Sequence, residues 1–75
     1  MLNETQKKVL VLTSQGKKPR EIAEKARIKE KSLGDVLKRA RSNLDQSIES
    51  IEFAIENHLL NNEQILLLKN LLESL

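Results

Sequence analysis

Glu21-Ile-Ala-Glu-Lys-Ala-Arg-Ile-Lys-Glu-Lys-Ser-Leu-Gly-Asp-Val-Leu-Lys-Arg-Ala-Arg41 decides how this chain folds. Ile22, Ala23 and Ala26 fall on one side of a short helix. Leu33, Val36, Leu37 and Ala40 repeat at three, one and three, which suits a second helix. Ile28 stands alone between the two runs, where a turn tucks one apolar side chain under both helices. Small Ala23 lets the second helix approach the first closely.

Two helices joined by a short turn can place the second of them in the major groove of DNA. Glu21-Ile22-Ala23, then Ile28, then Ser32-Leu33, then Lys38-Arg39-Ala40-Arg41 carry a family likeness. On them, Gly16 to Arg41 resembles the helix-turn-helix of the LuxR family and of region four of bacterial sigma factors. With Leu2-Asn3-Glu4-Thr5-Gln6 upstream and Asn43-Leu44 downstream, the register also resembles the archaeal Tfx group of DNA-binding proteins. The resemblance implies a helix-turn-helix head of three helices, whose first helix braces the other two, and a regulator of transcription. Leu60 to Leu75 lies outside it. Such motifs often have glycine where Arg27 stands, and a Ser or Thr cap where Lys29 stands; both positions depart from the pattern.

Charge divides the chain. Residues 1–43 hold 12 Lys/Arg against 5 Asp/Glu, a net +7, and residues 44–75 hold 1 against 6, a net −5. A polyanion-binding head joined to an acidic, aliphatic assembly tail is one reading. An ordinary helical surface solvated by lysines is the other. At 75 residues the chain is one domain near the lower limit for an independent core, and a partner subunit is a natural source of further stability. It has no cysteine, and its single histidine, His58, has no companion for a metal site. No nucleophile–base pair or phosphate loop is present, so neither an enzyme nor a cofactor or small-molecule ligand is expected. Ile65 to Leu68, a purely apolar run that no other in the chain exceeds, is far too short to span a bilayer. The chain reads as soluble and cytoplasmic, associated with the nucleoid.

Asn3 and Gln6 form a reciprocal cap for a first helix from about Glu4 to Gln15, stopped by Gly16. Pro19 opens a second helix that runs to about Ala26. A third is expected to begin near Glu30 or Lys31. Leu37, Ala40, Leu44, Ile48, Ile51, Ile55 and Leu59 then repeat at 3, 4, 4, 3, 4, 4, an eleven-residue period that suits a nearly straight apolar stripe. The third helix is therefore read as continuing to about Asn57. A break at Ser42-Asn43, with Asn43 as a new cap and Gln46 as its partner, is the alternative. Asn61 and Gln64 cap a last helix, with Leu60 packing on Ile65 as a staple.

The expected architecture is all-α: a helix-turn-helix head with a long third helix and a C-terminal leucine-rich helix. Lys17, Lys18 and Arg20 gather where a helix N-terminus and basic side chains can meet a phosphate. Lys29 in the turn and Ser32 near the start of the third helix are further candidates for contact with DNA. On the third helix the face opposite the apolar positions carries Lys31, Gly34, Asp35, Lys38 and Arg41/Ser42. Lys31 and Lys38 suit guanine edges or phosphate, while Arg39 and Arg41 suit phosphates beyond the groove. Gly34 either lets the backbone approach a base edge or has drifted at an exposed site. Asp35 suits DNA least, and an i, i+4 pair with Arg39 is expected instead. In the tail, Ile65, Leu68, Leu72 and Leu75 form one seam, and Leu67 and Leu71 extend it to a second face. Dimerisation through these leucines is expected, with a broad intramolecular core as the alternative. The function expected is sequence-specific binding of double-stranded DNA as a homodimer. A protein-interaction module on a degenerate motif, or a sequence-tolerant architectural DNA binder, stands as the rival.

Overall fold

The computed structural model describes all 75 residues as an all-helical chain. Its elements are α1 (Glu4–Ser14), α2 (Pro19–Ala26), a 3₁₀ turn (Glu30–Ser32), α3 (Leu33–Glu56) and α4 (Asn62–Glu73).

Local chemistry sets most of the boundaries. At α1, the Gln6 N–H donates to Asn3 Oδ1 at 2.7 Å and the Asn3 N–H donates to Gln6 Oε1 at 3.0 Å. The same reciprocal box opens α4 between Asn61 and Gln64, at 2.8 and 3.0 Å. Each box satisfies two backbone groups that a helix start leaves without partners. Pro19 sits in the first turn of α2, where its missing N–H costs nothing.

Three helices end in one way, with a left-handed residue after the last turn. Gly16 (φ 76°), Arg27 (φ 58°) and His58 (φ 56°) hold these positions. After each of them the next N–H reaches back to a carbonyl five residues earlier: Lys17 to Leu12 at 3.2 Å, Ile28 to Ala23 at 3.0 Å, Leu59 to Ala54 at 2.9 Å. At Arg27 this closure turns Ile28 inward against the core. A non-glycine residue held there carries strain of about 1 kcal/mol or more. Arg27→Gly is therefore expected to stabilise the chain by about 0.5–1 kcal/mol in chemical denaturation, the relief being partly offset by glycine's freer unfolded state.

The third helix differs from expectation at its start. No side chain caps Lys29, and the first turn is 3₁₀, with Ser32 N–H donating to the Lys29 carbonyl at 2.9 Å. The α-helix begins only at Leu33, so Lys31 lies in the 3₁₀ turn. Tightened i→i+3 bonding is a common way to start a helix that lacks a side-chain cap. From there α3 runs unbroken for 24 residues. Asn43 does not cap a new helix: its side-chain amide donates across to Gln6 Oε1 on α1 at 3.2 Å.

The core lies where α1, α2 and the first part of α3 meet. Val9, Ile22, Ala26 and Leu33 are buried there, with Leu12, Ile28, Val36 and Leu37 packed around them. Ala23 and Ala40 are buried as well, and their small side chains allow close contact between helices. α4 is not packed onto this head. The radius of gyration is 15.4 Å, where a compact chain of this length gives about 11 Å. No helix is long and apolar enough to cross a membrane.

Candidate nucleic-acid interface

Apolar spacing commits one side of each head helix to the core, and the basic residues take what is left. Lys17, Lys18, Arg20, Lys29, Lys31, Lys38, Arg39 and Arg41 are all exposed, as are Gly34 and Asp35, while Ser32 is half-buried. Lys17 follows the left-handed Gly16, and Lys18 is the residue from which α2 starts. Leu33 and Ala40 are buried and Val36 and Leu37 half-buried, so Lys38 and Asp35 are turned outward on α3.

Several of these charges have close partners. Arg20 Nε lies 3.7 Å from Glu24 and Arg41 Nε lies 3.5 Å from Asp45. Both pairs are largely exposed, so each contributes little to stability and is easily exchanged for a phosphate. The expected Asp35–Arg39 pair is not formed; the i, i+4 pair on this helix is Arg41–Asp45. Asp35 thus presents an unpaired carboxylate, and Arg39 an unpaired guanidinium, to solvent. Lys18 and Arg20 share a shallow depression with Glu21 and Glu24, whose carboxylates moderate the positive field at the start of α2.

The fold also groups residues that sequence spacing does not. Lys8 of α1 joins Lys25 and Arg27 around an open concavity of about 550 Å³ between the first turns of α1 and the end of α2. Lys8 stands 17 residues before Lys25 in the chain, and only the crossing of α1 over α2 brings it beside Lys25 and Arg27. Lys25 is paired with Glu21 at 3.4 Å, while Lys8 and Arg27 have no carboxylate partner.

Gly34 stands in open space: a methyl group added there meets nothing within 4 Å. Gly34→Ala is expected to stabilise α3 by up to about 1 kcal/mol, since alanine is the better helix former. Thermal denaturation measures that gain. If the bare backbone of Gly34 approaches a base edge, the same substitution weakens binding at a selected DNA site; an exposed drifted site leaves binding unchanged.

No family model, characterised protein or solved structure matches this chain. The head's chemistry therefore rests on its own side chains. No group of His, Cys, Asp or Glu is gathered to hold a metal ion.

The six leucine and isoleucine positions expected to mediate dimerisation behave unequally. Ile65, Leu67, Leu71, Leu72 and Leu75 are exposed. Leu68 is half-buried instead, because it turns toward the end of α3 and lines an open groove of about 390 Å³ with Ala54, Ile55, His58, Leu60 and Ile65.

Proposed function

We propose that this chain binds double-stranded DNA through residues 1–43, as a dimeric helix-turn-helix regulator of transcription. The observation that carries the reading is the segregation of charge on the head. Its apolar positions are drawn inward, and Lys17, Lys18, Lys29, Lys31, Lys38 and Arg39 are left exposed without a carboxylate within ion-pair distance. Cations free of internal partners neutralise phosphates and release counterions, which supplies affinity. α3, entered through its 3₁₀ turn, then reads base edges with Lys31 and Lys38, while Arg39 and Arg41 hold the flanking backbone. The spacing of Glu21-Ile22-Ala23, Ile28 and Ser32-Leu33, with its resemblance to LuxR-type and sigma-factor helix-turn-helix motifs, supports the same assignment. Two heads in one dimer set half-sites about 34 Å apart, one turn of DNA.

Asp35 favours a second reading. An unpaired carboxylate on the outward face of α3 repels phosphate, as suits a helix-turn-helix skeleton that contacts protein instead. Duplex binding measured across a salt series separates the two. The DNA reading expects affinity that falls steeply and linearly on a logarithmic salt scale. No measurable duplex binding at about 50 mM salt, where phosphate attraction is strong, refutes it in favour of the interaction module.

A further inference from the structure

The apolar stripe of α3 continues past the head and loses its cover. Leu37, Ala40 and Leu44 are buried or half-buried, whereas Ile48, Ile51, Ile55 and Leu59, in the same register, are exposed. The chain presents 6382 Å² of accessible surface, where a monomer of its mass folds to about 4,700 Å². The excess is about 1,700 Å² per chain, or about 3,400 Å² for two copies, within the range of obligate homodimers and above that of ordinary complexes.

The chemistry of the patch narrows its occupant. The stripe is wholly aliphatic, as expected of an interface that is never left open. Glu49, Glu52 and Glu56 border it, and Lys69 is the one lysine or arginine in residues 44–75, so an anionic lipid surface or nucleic acid is repelled. We propose that a second copy of this chain covers it: α3 and α4, which within one chain meet only around the groove at their junction, close into a hairpin in each copy, and the two hairpins form a bundle in which each α3 lies beside the partner's α4. This rests on the dimeric part of the reading above and not on DNA.

The arrangement follows from the two edges of the stripe. Ala54, on one edge, is half-buried where the chain's own α4 starts, and it shares a groove with Leu60, Ile65 and Leu68. Glu52 and Glu56, on the other edge, remain exposed. A two-fold bundle of hairpins can be built in two ways. Placing α3 beside the partner's α3 runs the two antiparallel and sets the Glu52 and Glu56 edges of both copies against each other, a juxtaposition of like charge that opposes pairing. Placing the two α3 helices diagonally puts each acidic edge beside an α4. The two-fold axis then runs along the helices, and both heads leave at the same end.

The absence of cysteine makes the test direct, because one introduced cysteine is the only thiol. Full-length chain carrying Glu30→Cys, an exposed site on the head, is spin-labelled and measured without DNA, alongside sedimentation equilibrium of the unlabelled chain. The expected result is a dimer at micromolar concentration with labels less than about 40 Å apart. Labels about 65 Å apart mean antiparallel α3 helices and overturn the arrangement. A monomer at high micromolar concentration, or an assembly larger than two, overturns the occupant. Ile51→Glu with Ile55→Glu should weaken dimerisation by about a hundredfold or more. Hydrogen exchange at Val9 and Ile22 shows that the head stays folded. A variant that remains dimeric at unchanged affinity places the interface elsewhere and refutes the proposal. Since no arm contains DNA, a failure here leaves the DNA reading standing, and a failure to bind DNA leaves this one standing.

Discussion

Replacing Lys17, Lys18 and Arg20 together by glutamate is expected to weaken binding to every duplex by about a thousandfold at 0.1 M salt. Each phosphate contact contributes a salt slope of about −0.9, which corresponds to nearly tenfold in affinity at that concentration. Three lost contacts give several hundredfold, and the repulsion of three new carboxylates adds to it. The salt slope should become shallower by about three contacts' worth. All sequences should suffer alike, because phosphate contacts position a protein without reading bases. Reversing Glu49, Glu52 and Glu56 to lysine should leave discrimination between sequences unchanged, since these residues lie in the tail. Fluorescence anisotropy with selected and random duplexes across a salt series measures both variants. A greater loss from the acidic half than from the basic half would exchange the roles assigned to the two ends.

A second large effect is expected on the outward face of α3, and it distinguishes a reader of sequence from a sequence-tolerant binder. Leu33, Val36, Leu37 and Ala40 are committed to the core, which leaves Lys31 and Lys38 as the long exposed donors on either side of Gly34. Lys31→Ala or Lys38→Ala should cost about 1–3 kcal/mol at a selected site and much less on random duplex. Stability should move by no more than about 0.5 kcal/mol, because both side chains are exposed. Lys38 is the firmer test, since it lies within α3 while Lys31 lies in the 3₁₀ turn. Equal losses on selected and random DNA would mean that these lysines only touch phosphate, and that the protein is an architectural binder.

What the sequence determined by itself was whatever depends on neighbours a few residues apart. The reciprocal caps Asn3/Gln6 and Asn61/Gln64, the start at Pro19 and the stop at Gly16 all appear where local chemistry puts them. Hydrogen bonds between residues i and i+3 need no tertiary partner, so their signals survive in the bare sequence. The core side of each head helix was legible for a similar reason: the apolar period fixes which side is apolar. The basic candidate residues are exposed because they stand off that period. Whether they touch DNA is a property of a complex, and periodicity does not carry it.

Tertiary structure decided the rest. Arg27 accepts a left-handed backbone because Ile28 must turn into the core, and local preference alone favours glycine there. Asn43, able to cap a new helix, instead spends its amide on Gln6, 37 residues away, and α3 stays whole. Between two possible i, i+4 pairs on α3, Arg41–Asp45 forms and Asp35–Arg39 does not, although the acid-before-base order of the second is the one a helix favours. Lys8 meets Lys25 and Arg27 only because α1 crosses α2. Above all, Leu37-Ala40-Leu44 and Ile48-Ile51-Ile55 belong to one stripe with one spacing, yet the first is covered and the second is bare. The reason is length. α1 has 11 residues and spans about 16 Å, α3 has 24 and spans about 36 Å, and a helix cannot shield apolar surface beyond its own end.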